Sequence, residues 1–377
     1  MNQKEVGELR RRFKADKSAI THVRGCYVNE KGEIVSQFDQ SLALMSQEES
    51  EKLLSVLRRT LSGGIGRNLV DISFATSQVA EGEEHKLLMA LRDSALHNEE
   101  AVQAFFQKAI GSLDLEGNYL ILLAYDRYDV PYRAKDGEDQ KDASDEVYSY
   151  ILCSICPVKL TKPALSFYVS ENRFYNRQAD WLVAPPELGF LFPAFDNRST
   201  NLYDTLYYTK NARDNHQDFA QAVFDAQLPM PAQLQMETFQ TILGESLEEE
   251  CSYEVMQAVH DQLRELVEEH KENKVEEPLT VSKGAVKSML QSCGVSESHV
   301  AAFDTRFDDS FGAQTSLIPQ NLMDAKQFQV STPDVIIKIS PAYSALVETR
   351  VIDGKKYILI PAEGDVEVNG VPIRIEE

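Results

Sequence analysis

Two apolar runs constrain what this chain can fold into more than any other feature. Gly117–Asp126 (GNYLILLAYD) and Val147–Leu160 (VYSYILCSICPVKL) are continuous enough to be buried-type strands. A strand of that kind needs apolar cover on both faces. The chain therefore has to build a layered core around them. Between the two lies DRYDVPYRAKDGEDQKDASDE, which reads as a polar loop dense in carboxylates.

Residues 2–17 place Val6, Leu9 and Phe13 on one helical face, with Arg10, Arg11, Arg12, Lys14 and Lys17 mostly around it. Two alternating runs about Asn29–Gly32 predict a β-hairpin. Ser46-Gln-Glu-Glu49 carries capping-box spacing ahead of an amphipathic helix, EKLLSVLRRTL. Helix is expected again from about Glu83 through Ile110. After Pro163 the chain is aromatic and irregular to about Tyr208. Residues from about Asp214 to Asn273 look predominantly helical, with an interruption at LPMPAQ. The tail from Phe328 is β-rich, with Asp353-Gly354 and Asn369-Gly370 as hairpin turns.

The glycine-rich stretch LSGGIGRNL (61–69) invites a phosphate-loop interpretation, but its order is reversed. A phosphate cradle follows a strand and opens a helix. Here the glycines follow a helix and precede the strand-like LVDISFAT, so a helix-ending turn is expected.

Charge narrows the function classes. The 377 residues carry a net charge of −22, which repels nucleic acid and anionic membranes at long range. Any polyanion contact must use a local patch, and the N-terminal segment provides one. Met1–Arg24 holds seven Lys/Arg against three Asp/Glu, whereas Glu245–Glu277 holds twelve Asp/Glu against three Lys/Arg. In that acidic stretch Leu247, Cys251, Val255, Val259, Leu263 and Leu266 recur at helical spacing, as packing against a neighbouring helix or as a dimer seam. The five cysteines do not make a disulfide framework. Cys153 and Cys156 have CxxC spacing, but within a strand they would face opposite ways.

Chemistry is sparse. The loop carboxylates Asp126, Asp129, Asp136, Glu138, Asp139, Asp142, Asp145 and Glu146 could hold a hard cation, with Asp126 and Asp129 beside Arg127 as the first pair to test. They do not fit an EF-hand, and neither a zinc HExxH pattern nor a hydrolase nucleophile elbow is present. Residues 167–208 contain eleven of the chain's 33 aromatics, which suit a core or a protein-binding surface.

Several runs, among them GCYVNEKGEI, SFATSQV, EGNYLILLAYDRYDVP, ELGFLFPAFDNRSTN and VETRVIDGKKYILI, resemble a bacterial family labelled domain of unknown function 4317. The resemblance covers essentially the full chain. It implies a bacterial intracellular protein and supplies no catalytic residue. In layout, the succession of apolar strands, a long charged helix, FDDSFGAQTSLIPQ and a β-rich ending is similar to the bacterial nucleoid-associated protein family, which implies association with nucleic acid or its machinery.

The expected architecture is α+β, with a mixed α/β domain over 1–212, an acidic helical segment over 213–278 and an α+β domain over 279–377. The expected function is that of a non-enzymatic cytoplasmic interaction protein. It would contact nucleic acid, through Arg10, Arg11, Arg12, Lys14 and Lys17, or a nucleoid protein. The alternatives are a metal-dependent hydrolase or nuclease using Asp126 and Asp129, and a homo-oligomeric scaffold. No cofactor and no membrane partner are expected.

Overall fold

The computed structural model describes residues 1–133, 139–273, 275, 277–324, 327–362, 366–368 and 370–374, with the backbone alone at 132–133 and 139–145. Two units result, Met1–Ala232 with Glu276–Pro278, and Gln233–Val275 with Leu279–Glu377. The first runs α1 (Gln3–Arg10), β1 (His22–Val28), β2 (Ile34–Ser41), α2 (Gln47–Arg59), β3 (Leu69–Ser73), α3 (Thr76–Glu81), α4 (Glu83–Asp93), α5 (Glu99–Gly111), β4 (Tyr119–Arg133) and β5 (Asp139–Leu160). It continues through β6 (Ala164–Tyr168), β7 (Arg173–Arg177), β8 (Trp181–Val183), β9 (Leu188–Phe192), β10 (Ala194–Asp196), β11 (Ser199–Asn201), β12 (Asp204–Thr209) and α6 (Gln217–Phe224).

The apolar runs pair with each other. β4 and β5 form one long antiparallel hairpin at the middle of a sheet ordered β2-β1-β4-β5-β9-β12-β3, with β8 added at the far end of β5. Both faces are covered, which is why neither run alternates with polar residues. Ile121, Leu123, Ile151, Cys153 and Ile155 face a core shared with α4, α5 and α6. Leu122, Ala124, Tyr148, Tyr150, Leu152 and Cys156 face the opposite core, which Val6 and Leu9 of α1 and Leu54 and Leu57 of α2 close.

Local signals set several of these elements. Ser46 Oγ accepts from Glu49 N–H, and the Glu49 carboxylate accepts from Ser46 N–H at 2.9 Å, so both halves of the capping box form. The expected N-terminal helix is shorter than its pattern. It ends at Arg10, after which the chain turns to bring Phe13 into the core. The expected polar loop after Asp126 is also corrected. β4 continues to Arg133 and β5 begins at Asp139, so residues 126–133 and 139–146 are paired strands of the hairpin. Residues 163–208, expected to be irregular, form a succession of short strands.

The second unit contains α7 (Ala232–Leu247), which begins at the last residue of the first, then α8 (Tyr253–Glu272), β13 (Val281–Ser282), α9 (Lys283–Ser292), α10 (Glu297–Phe311) and β14 (Ser316–Leu317). Three two-stranded hairpins follow: β15 (Phe328–Ser331) with β16 (Ile336–Ile339), β17 (Glu348–Ile352) with β18 (Lys355–Leu359), and β19 (Val366–Val368) with β20 (Val371–Ile373). Asp353 and Gly354 both take positive φ, 49° and 77°, as the turn between β17 and β18 requires.

The division differs from the expected one in two places. Phe219, Ala220, Val223 and Phe224 of α6 lie in the first unit's core, so that unit extends past residue 212. The acidic α8 is not a separate segment. Val259 and Leu263 pack with Phe239 and Leu243 of α7, Leu290 of α9 and Phe303 of α10, which uses the apolar stripe inside the unit. No helix among the described residues is long and apolar enough to cross a membrane.

Gly189 of β9 is packed between the β5 backbone and Thr60, the residue that caps α2. A Cβ there would stand 2.6 Å from Thr60 Cγ2 and closer still to the Cys153 carbonyl. Gly189→Ala is therefore expected to destabilise the first unit by about 1–3 kcal/mol through overpacking, read as a lowered urea midpoint. An unchanged midpoint would mean that the β5 backbone and Thr60 leave room for a side chain there.

Candidate functional site: a buried carboxylate and an exposed arm

Strand alternation separates the two aspartates that sequence reasoning put together. Asp126 faces the core closed by α1 and is 1 % exposed, whereas Asp129 lies three residues on and is 70 % exposed beside Arg127. Asp126 accepts from the Arg12 guanidinium at 3.3 Å, from Ala19 N–H at 3.0 Å, from Arg127 N–H at 2.9 Å and from the Tyr150 hydroxyl at 2.8 Å. Burial, and then the Asp126 charge, hold the Tyr150 phenol protonated well above its usual range. The carboxylate is thus fully engaged as a structural acceptor. Among the described residues no group of three or more His, Cys, Asp or Glu is gathered to hold a metal ion. Asp136 and Glu138 lie outside the described residues, as do the side chains of Asp139, Asp142 and Asp145. Glu146 accepts from Thr200 N–H at 2.8 Å.

The same contacts divide the basic cluster. Arg12 turns inward, donates also to the Arg127 carbonyl at 3.0 Å and lies 4.3 Å over the Tyr128 ring. Tyr128 in turn donates to Glu8 at 2.6 Å, and Arg198 joins Glu8 at 2.8 Å. Sequence reasoning missed Glu8, Tyr128 and Arg198, because nothing local links positions so far apart. Arg11, Lys14 and Lys17 are exposed and Arg10 is half-buried; none forms an ion pair among the described residues.

The remaining motifs resolve structurally. In the glycine loop the amides of Arg67, Asn68 and Leu69 donate to the Gly64 carbonyl, and that of Gly66 donates to the Leu69 carbonyl. Those amides close the turn and are not aimed at an anion. Cys153 and Cys156 are buried on opposite faces of β5, and burial pushes the Cys156 thiol up to about 12, so the pair has no thiolate character.

One exposed element of the first unit is an arm. Beyond the covered part of the sheet, β5 pairs with β8, and β6 pairs with β7 as a separate two-stranded sheet. Register and alternation give that hairpin two different faces. Leu165, Phe167, Phe174 and Asn176 share one, and Ser166, Tyr168, Arg173, Tyr175 and Arg177 share the other. Phe167 and Phe174 meet edge to face at 5.1 Å, and Tyr168 meets Tyr175 at 5.9 Å. Leu165 is 73 % exposed, Phe174 68 % and Trp181 of β8 52 %. The period-two alternation of ALSFY was the available signal for this amphipathic hairpin.

The sequence model of the family described as Domain of unknown function (DUF4317) matches residues 1–371. No curated protein matches the chain. The chain belongs to the DUF4317 family.

The two aspartates are expected to behave oppositely on substitution. Asp126→Ala leaves Arg12 without its partner and should cost about 3–5 kcal/mol in urea unfolding. Asp129→Ala should stay within about 0.5 kcal/mol of the parent. Equal effects would contradict the structural role given to Asp126.

Proposed function

We propose that this member of the DUF4317 family is a non-enzymatic interaction protein whose docking element is the β6–β8 arm, and that a second copy of the chain covers the arm's apolar face. The observation that carries the proposal is the uncharged, exposed face formed by Leu165, Phe167, Phe174 and Asn176. A lone two-stranded hairpin is marginal in water, and exposed apolar surface gains free energy when it is covered. An identical face suits it. Neither copy presents a charge that the other must neutralise, and a two-fold arrangement makes every contact twice. Arg173 and Arg177 lie on the opposite face and do not enter the seam. The bacterial cytoplasm, where the chain's five cysteines would stay reduced, is the compartment that goes with this reading.

Nucleic-acid binding is the second reading, favoured by the arm's other face. Tyr168 and Tyr175 could stack on bases while Arg173 and Arg177 meet phosphates, a combination suited to single strands. Arg10, Arg11, Lys14 and Lys17 would add a second cationic patch. With a net charge of −22, contact would be confined to such patches.

Light scattering is expected to give twice the 42.5 kDa chain mass for the parent, and the mass of one chain for a Phe167→Asp/Phe174→Asp variant that keeps the parent's circular dichroism. A parent that stays monomeric at micromolar concentration would overturn the self-association.

For the second reading, fluorescence anisotropy with labelled single-stranded DNA, duplex DNA and RNA should show salt-sensitive binding. That binding should weaken about tenfold or more in Tyr168→Ala/Tyr175→Ala. Absence of binding at low salt would remove this reading and leave the first untouched.

A further inference from the structure

Where α4 ends, the face of β1 and β4 that carries the first core turns polar. A cleft of about 350 Å³ opens there, lined by His22 and Arg24 of β1, Asp39 of β2, Tyr125 and Arg127 of β4, and the turn Ala95–His97. We propose that this cleft binds a small oxyanion, a phosphate or carboxylate group.

Four observations support the assignment. Arg24 gives one terminal nitrogen to Glu99 at 2.6 Å and leaves its buried Nε with no acceptor among the described residues, a costly state for a charged donor. Arg127 has only a loose contact with Asp129, at 3.9 Å, and its side chain is 61 % exposed. His97 holds Nδ1 within 2.9 Å of the Ala95 carbonyl and 3.1 Å of the Ser94 carbonyl, so Nδ1 donates to the backbone and Nε2 can donate to an oxyanion in the cleft when the ring is protonated. The Tyr125 hydroxyl has no partner among the described residues. Two arginines, a tyrosine and two histidines thus line one space, with Asp39 as the only carboxylate lining it among the described residues. Bidentate pairing of guanidinium with a planar or tetrahedral oxyanion is the interaction these groups are built for.

The backbone of the covering turn supports the same view. Ala95 and Leu96 are consecutive residues at positive φ, 48° and 66°, a conformation that side-chain-bearing residues rarely adopt. Leu96 is buried in the core, which anchors the turn and sets His97 at the edge of the cleft. The pocket does not involve the β6–β8 arm, so self-association and anion binding can fail separately.

The test is an NMR titration of the histidine ring signals of the full chain, with sodium phosphate and sodium acetate each compared with chloride at constant ionic strength. His22→Gln and His97→Gln identify the two signals. The expected result is saturable shifts of both with at least one oxyanion, and about tenfold weaker affinity in Arg127→Gln, equivalent to about 1.4 kcal/mol. Arg24→Gln, checked for fold by the other histidine signals, should weaken it likewise. Saturation by phosphate alone assigns a phosphate group, by acetate alone a carboxylate, and by both a general oxyanion site. Shifts that grow linearly, that match chloride, or that keep the parent affinity in both arginine variants would overturn the proposal.

Discussion

A carboxylate that is 1 % exposed has to be answered by donors, and Asp126 is answered four times. Arg12, the amides of Ala19 and Arg127, and the Tyr150 hydroxyl surround it. An isolated buried charge would cost several kcal/mol, so the chain between α1 and β1 is obliged to pass where those donors can reach it. That requirement ends α1 at Arg10, draws Arg12 off the surface and seats Phe13 in the core beneath α1 and α2. The rest of β4 follows by alternation. Its even-numbered residues hold the α1 side, and Tyr125 and Arg127 look to the opposite face, where the polar cleft lies.

The arm stands in contrast to this fully satisfied carboxylate. The backbone groups that β6 and β7 share are paired, but no third strand or helix covers either face among the described residues. Two faces of unlike chemistry on one hairpin allow two kinds of contact at once. The Leu165/Phe167/Phe174 side gains only from losing water, whereas the Tyr168/Tyr175 side with Arg173 and Arg177 offers directional and charged contacts. A dimer formed through the first would leave the second available on both copies.

Local features were legible in the sequence because their partners are close by. Ser46 and Glu49 are three residues apart, the β1–β2 turn lies within Asn29–Glu33, and Asp353-Gly354 carries its own backbone preference. The apolar runs announced buried strands, and the α+β character followed from them. The Asp126 cluster was not legible, since Arg12 lies 114 positions from Asp126 and Glu8 lies 190 from Arg198. A basic run therefore looked uniform when one of its members is structural. The aromatic segment hid its strands for a different reason. β8, β10 and β11 have three residues each, too few for a period to emerge. The cleft was invisible as well, because β1, β2, β4 and the turn after α4 each contribute one to three residues to it.

The central claim is that the apolar face of β6–β7 is covered by a second copy, and backbone amide hydrogen exchange at two protein concentrations tests it most directly. Exchange reports local opening segment by segment, so the hairpin can be followed apart from the core. The account predicts that the amides of β6 and β7 exchange more slowly at the higher concentration, while those of β4 and β9 do not change. Exchange in β6 and β7 that is equally fast at both concentrations would contradict it.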